Sequence, residues 1–186
     1  MKLQYTLEKE DYENKTMFEC ANSEQFKKQL TGVQWRVPVI MGLLSLYYLL
    51  YQEILIIAII FFILAVLWYT FSPRFFINKA KKINIKYSKE KYHELFGKEF
   101  ILEIKDDSIS IENGLEKIEF GFETIKKATR TDEAIFIQNS SNEFYIIPIN
   151  KITEEECKDL LNVLSEKIQD GIHIQLGWKF DNKYLK

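Results

Sequence analysis

The hydrophobic positions divide the chain into three kinds of segment. Nearly every residue from 37 to 71 is apolar. Between residues 100 and 147 apolar and polar positions alternate in short runs, which is typical of half-buried strands. Between residues 153 and 168 apolar residues recur every three or four positions, as on one face of a helix. The pattern predicts an α+β chain that carries a long apolar helical segment.

The apolar segment is too long for one membrane span. As a single helix its 35 residues would measure on the order of 50 Å, whereas the hydrocarbon core of a bilayer is roughly 30 Å thick. Gln52 and Glu53 form its strongly polar pair. A carboxylate at the centre of a span costs roughly 2.5–3.5 kcal/mol, so Glu53 is better placed at a membrane surface.

We therefore expect a transmembrane hairpin over residues 33–71. Its helices would cover about 33–50 and 54–71, joined by a turn near residues 51–53. In the alternative that stays open, 54–71 spans the membrane and 37–51 lies in the interface.

Basic residues flank the hairpin at the ends remote from the turn. They are Lys27, Lys28, Arg36, Arg74, Lys79, Lys81, Lys82 and Lys86. Since cytoplasmic flanks are enriched in Lys and Arg, we predict a multi-pass protein of the cell (inner) membrane with both termini in the cytoplasm. The residues expected at the two membrane interfaces are Trp35, Arg36, Tyr51, Glu53, Trp68 and Tyr69.

Charge separates the two segments that follow the hairpin. The whole chain has a net charge of −2, which argues against nucleic-acid binding. Residues 72–97 carry 7 basic and 2 acidic side chains, whereas residues 98–170 carry 9 basic and 17 acidic ones. We predict a basic juxtamembrane helix over 72–97. Its expected lipid-headgroup contacts are Arg74, Lys79, Lys81, Lys82 and Lys86.

The alternating region predicts six short strands in an antiparallel meander. Thr153 followed by three glutamates predicts a capping box at the start of a closing helix. The expected apolar face of that helix comprises Cys157, Leu160, Leu161, Leu164 and Ile168. A strongly bent sheet with the helix over one open end is the expected arrangement.

This order of elements resembles the YcxB-like family of bacterial membrane proteins over about residues 1–170. The resemblance lies in the strand start at Phe122–Ile125, and in a strand that ends in Ile146-Ile147-Pro148 before an acidic-capped helix. Phe122 stands where many relatives have tryptophan. The family implies a membrane hairpin and a cytoplasmic β-domain similar to the pleckstrin-homology fold.

Five segments are expected from these patterns. They are an N-terminal strand and amphipathic helix (1–32), the hairpin (33–71), the basic helix (72–97), the pleckstrin-homology-like domain (98–170) and a tail (171–186).

No recognisable catalytic motif, cofactor site or metal site is present in the sequence. Cys20, Cys157, His93 and His173 lack the spacing of metal ligands. The glycines are isolated, which excludes a phosphate loop. Within the meander, Lys126, Lys127 and Arg130 are a possible patch for an anionic ligand.

The sequence favours a non-enzymatic module that anchors to the lipid bilayer and binds a protein partner of unknown identity, in stress response or immunity. The alternative is a sensor of anionic lipid headgroups at the inner leaflet. Oligomeric state stays open.

Overall fold

The computed structural model describes residues 1–168 and 171–180, which form four α-helices and eight strands. The helices are α1 (Lys9–Asn22), α2 (Glu24–Leu50), α3 (Leu55–Tyr92) and α4 (Glu154–Lys167). The strands are β1 (Lys2–Thr6), β2 (Glu99–Ile104), β3 (Ser108–Glu112), β4 (Lys117–Gly121), β5 (Ile125–Arg130), β6 (Ala134–Asn139), β7 (Phe144–Pro148) and β8 (Ile172–Ile174). The ends of the two last expected segments, residues 169–170 and 181–186, lie outside the described residues.

The chain divides into two compact units. Residues 1–19 and 84–179 form one, here called the sheet unit. Residues 20–83 form most of the other, here called the hairpin unit. The chain is thus of the α+β class, with all eight strands of the described residues in the sheet unit.

The strands form two four-stranded sheets instead of the single bent meander that we expected. The first has the order β1-β2-β3-β4 and the second β7-β6-β5-β8. A short 3₁₀ turn, Phe122–Thr124, separates β4 from β5. The Phe122 side chain in this turn is buried in the core, which stabilises the change of sheet.

The N-terminal strand belongs to the first sheet, where β1 pairs antiparallel with β2. Its alternation places Leu3 and Tyr5 in the core and the intervening Gln4 outside. Tyr5 lies opposite Phe100, and their rings stack with centroids 5.9 Å apart.

Helix α4 begins with the predicted capping box. The Glu156 amide donates to Thr153 Oγ1 over 3.2 Å, and the Thr153 amide donates to Glu156 Oε2 over 2.8 Å. Cys157, Leu160, Leu164 and Ile168 are buried as expected. Leu161 is only partly buried, because its position in the helical period lies at the edge of the apolar face.

Helix α1 contributes aromatic side chains to the same core. Phe18 stacks on Phe136 of β6 with ring centroids 3.9 Å apart. Tyr12 stacks on Tyr92 at 4.5 Å. The predicted amphipathic helix therefore packs its apolar face on the sheet unit.

The hairpin unit contains two long helices joined by a turn at residues 51–54. Helix α2 begins at Glu24, well before the expected start near Val33, because Ser23 caps it by accepting from the Phe26 amide. Helix α3 runs without interruption to Tyr92, as the predicted basic continuation requires. Gly97, the expected stop, has φ +70° a few residues beyond its end.

Candidate functional site

The hairpin unit exposes a large, nearly continuous apolar surface. Ile56 is 73% exposed and Leu50 is 68% exposed, and most other large apolar side chains between residues 54 and 71 are also exposed. Helix α2 and the helical segment Leu55–Leu95 are each long and apolar enough to cross a membrane. A surface of this size is typical of lipid or protein contact rather than contact with water.

The two helices of the hairpin meet through small side chains. Ala58 and Ala65, seven residues apart on one face of α3, are the buried alanines of this segment. Ser45 of α2 donates its hydroxyl to the Ala58 carbonyl over 2.8 Å. A Cβ at Gly42 would meet open space, so the close approach that Gly42 permits is not used.

Aromatic groups occupy both ends of the hairpin. At the end remote from the turn, Trp35 and Tyr69 make an edge-to-face contact at 5.1 Å, and the Trp68 indole donates to the Val33 carbonyl over 3.2 Å. At the turn, Tyr51 is 79% exposed and stacks against Tyr47 at 5.7 Å. Amphipathic rings at two levels are the pattern of membrane interfaces.

Glu53 lies at the turn itself, exposed and with φ +52°. A residue other than glycine is uncommon in the left-handed region of the backbone. This conformation of Glu53 lets the turn close although it contains neither glycine nor proline. The carboxylate is thereby held at the tip, away from the apolar faces of both helices.

The basic residues after the hairpin are exposed and stay available to a ligand. Arg74, Lys79, Lys81 and Lys82 make no salt bridge within the described residues, whereas Lys86 pairs with Glu90 at 3.7 Å. Successive steps of two, one and four residues from Lys79 rotate by roughly 200°, 100° and 40° about the helix axis. The charges therefore surround α3 instead of converging on one point.

The residues of the possible anionic-ligand patch all lie on β5, in different surroundings. Lys126 is exposed and donates to Asn142 in the β6–β7 turn over 3.0 Å. Arg130 lies at the opposite end of β5, and its buried Nε has no hydrogen-bond partner among the residues that the structure describes. Lys127 is partly buried between them, after a bulge in the pairing of β5 with β6. The three basic residues thus differ in exposure, and their role as a ligand patch stays a prediction.

Comparison with known proteins finds a family model that matches part of the sheet unit. Residues 104–164 match the family model of the YcxB-like proteins. The resemblance seen in the order of elements is confirmed for this segment. No curated protein and no solved structure matches the chain.

The YcxB-like segment starts at the end of β2 and stops within α4. Strand β8 lies beyond it and went unrecognised in the sequence, because three residues are too few to show an alternating pattern. The structure pairs Ile172–Ile174 in parallel with β5. Strand β1, at the other end of the chain, also lies outside the YcxB-like segment.

The described residues show no metal-binding group of three or more His, Cys, Asp or Glu side chains. Cys157 is a free cysteine on the buried face of α4. Burial raises the pKa of Glu19, although Lys15 lies 3.8 Å away and lowers it. Burial likewise raises the pKa of Tyr145 to about 12, helped by the neighbouring Glu143 carboxylate. These shifts belong to packing contacts on the sheet unit and define no reactive centre.

Proposed function

We propose that this protein is a membrane-anchored, non-enzymatic interaction module. The hairpin unit spans the bacterial inner membrane twice, and the sheet unit binds a protein partner on the cytoplasmic side, in a stress or immunity role. The observation that carries the proposal is the exposed apolar surface of α2 and α3 between residues 39 and 71.

The dimensions of the hairpin support two spans. Residues 33–50 and 54–71 contain 18 residues each, or about 27 Å of helix, against a hydrocarbon core of roughly 30 Å. Trp35, Trp68 and Tyr69 then lie near one interface, and Tyr51 near the other.

The distribution of basic residues supports the orientation. Eight Lys or Arg residues flank the outer ends of the hairpin, and residues 37–71 contain none. The positive-inside rule then directs both termini to the cytoplasm and Glu53 to the opposite surface.

Cysteine labelling tests the topology. In a Cys20→Ser, Cys157→Ala background, Gln52→Cys should react with an impermeant thiol reagent added outside intact cells. Asp159→Cys, which is equally exposed on α4, should react only after the cells are opened. Labelling of both positions in intact cells, or of the Asp159→Cys chain alone, would contradict the orientation.

The sheet unit supports a binding role more than a catalytic one. Two four-stranded sheets and a C-terminal helix resemble the pleckstrin-homology architecture that the YcxB-like family implies. Folds of this type host interaction sites on their edges and loops. The net charge of −8 over residues 98–170 opposes contact of this region with an anionic membrane surface.

Crosslinking in native membranes tests the partner. A tagged full-length chain should capture a defined protein that a tagged hairpin, residues 20–97, does not capture. Enrichment of the same proteins by both chains would place the contact on the hairpin. If neither chain captures a protein and the purified chain turns over a small molecule, the proposal is wrong and the protein is an enzyme.

Lipid-headgroup sensing is the second candidate, and the exposed basic residues of α3 favour it. Anionic lipid attracts each such residue by on the order of 1 kcal/mol. A peptide of residues 72–97 should bind anionic vesicles according to their charge density and lose binding in salt. A preference of about tenfold for one headgroup at matched charge would indicate a specific lipid site.

A further inference from the structure

The C-terminal segment occupies one edge of the second sheet. Ile172, His173 and Ile174 lie in parallel register with Ala128, Thr129 and Arg130 of β5. The Gln175 amide donates to the Arg130 carbonyl over 2.8 Å, and the Gly177 amide donates to Asp132 Oδ2 over 2.6 Å. Backbone groups of the segment therefore provide most of its polar contacts with the sheet.

Two side chains of this segment, Ile172 and Trp178, pack against the core. The ring of Trp178 meets Phe18 edge-to-face at 5.1 Å, and Phe18 in turn stacks on Phe136. Trp178 is partly buried against the core cluster. Ile172 begins the paired stretch against the core, and Trp178, six positions later, is the aromatic anchor of the segment.

The remaining side chains of the segment contribute little. His173 is exposed, Ile174 is 66% exposed and Leu176 is 60% exposed. Three residues make a short strand, and parallel pairing is slightly less stable per residue than antiparallel pairing. Segments with exposed side chains and few hydrogen bonds open at low free-energy cost.

The segment also covers only half of the edge that it occupies. Strand β5 has six residues, but its pairing with β8 starts at Ala128. On this side, Ile125, Lys126 and Lys127 have no paired strand within the described residues. The uncovered half carries two basic residues, so it suits a strand with acidic side chains.

We propose that this edge of β5 is a docking site for an extended segment of a partner protein. Residues 172–178 occupy the edge in the free protein, and the partner segment displaces them. The partner segment pairs along all of β5, places acidic residues beside Lys126 and Lys127, and inserts an aromatic ring against Phe18. In strand addition of this kind, backbone hydrogen bonds to the sheet edge provide the affinity, and pockets that receive the side chains provide the specificity. The inference rests on the proposed function, because its ligand is a protein.

Peptide binding tests the docking site. A chain that ends at Ile168, purified in detergent micelles, should bind a fluorescent peptide of residues 171–180. The full-length chain should bind it about tenfold more weakly, because its own segment competes at high effective concentration. A peptide lengthened to residues 169–180, with Glu at the three positions ahead of Ile172, should bind more tightly than the same peptide with Ala at those positions.

Peptide variants separate docking from nonspecific adhesion. Gln175→Pro removes the amide that donates to Arg130, and Trp178→Ala removes the anchor, so each should weaken binding about tenfold. Leu176→Ala changes an exposed apolar side chain and should leave binding unchanged. Equal binding of the native peptide and these three variants would overturn the proposal.

A second protein variant tests the proposal even if the shortened chain does not fold. Full-length Trp178→Ala weakens the resident segment and should bind the native peptide more tightly than the unchanged chain does. No gain, in a variant with an intact thermal transition, would show that the segment is a permanent part of the sheet. A concentration-dependent dimer with exchanged C-terminal segments would show that its occupant is a second copy. Either result leaves the crosslinking test of a protein partner standing.

Discussion

Removing one buried leucine from α4 tests how the sheet unit is held together. Leu164 is fully buried in the core, and Leu164→Ala deletes three carbon atoms there. Such substitutions cost about 2–5 kcal/mol, depending on how far the cavity collapses. We expect about 3 kcal/mol, because the rigid strands under α4 restrict collapse.

The structure also supplies graded controls on the same helix. Leu161 is only partly buried, so Leu161→Ala should cost clearly less than Leu164→Ala. Asp159 is exposed, so Asp159→Ala should change the free energy of unfolding by less than about 0.5 kcal/mol.

Amide hydrogen exchange of the full-length chain in micelles measures these differences without separating the units. Strand β6 lies inside the second sheet, so its slowest amides report global opening of the sheet unit. A loss of 3 kcal/mol should accelerate their exchange on the order of 100-fold. Unchanged exchange in Leu164→Ala together with faster exchange in Asp159→Ala would refute the assigned face of α4.

Three further predictions use the same exchange assay or thermal unfolding. Thr153→Ala should destabilise the sheet unit by about 1 kcal/mol, since it removes the capping oxygen. Hydrogen bonds from the Thr153 amide and hydroxyl lower the pKa of Glu156, so the Glu156 carboxylate should stabilise the unit above the ordinary carboxyl pKa and lose this effect as pH falls through the lowered one; a Glu156→Gln chain that keeps the same pH profile would contradict this. Asn142 has φ +63° and accepts from Lys126, so Asn142→Ala should destabilise the unit more than Asn142→Gly does, and the reverse order would exclude backbone strain as the cause. Because burial raises the pKa of Glu19, its contribution to stability should fall as pH rises from the ordinary carboxyl pKa through the raised one; thermal unfolding of Glu19→Gln across that range should lose this fall, and an unchanged slope would assign it to another group.

Local pattern predicted most of the individual elements correctly. Alternation located the six strands between Phe100 and Ile147, and the Thr153 capping box located the start of α4. The polar pair near Glu53 located the turn between α2 and α3. Each of these signals lies within a few residues of the feature that it predicts, because a helical or strand period is a property of neighbouring positions.

The assembly of those elements depended on contacts between distant residues. The alternating pattern does not say where one sheet ends and another begins, and only the buried Phe122 turn divided β4 from β5. Lys126, Lys127 and Arg130 are close in sequence, but only the structure showed that Lys126 is exposed whereas Lys127 and Arg130 are partly buried.

The sequence by itself therefore determined the class of the chain, its apolar hairpin and the charge on either side, since these follow from composition and period. Only the tertiary structure showed that β1 pairs with β2 almost a hundred residues away and that β8 covers half of β5. Backbone hydrogen bonds join whichever edges the fold brings together, and those bonds carry no signature in the side chains.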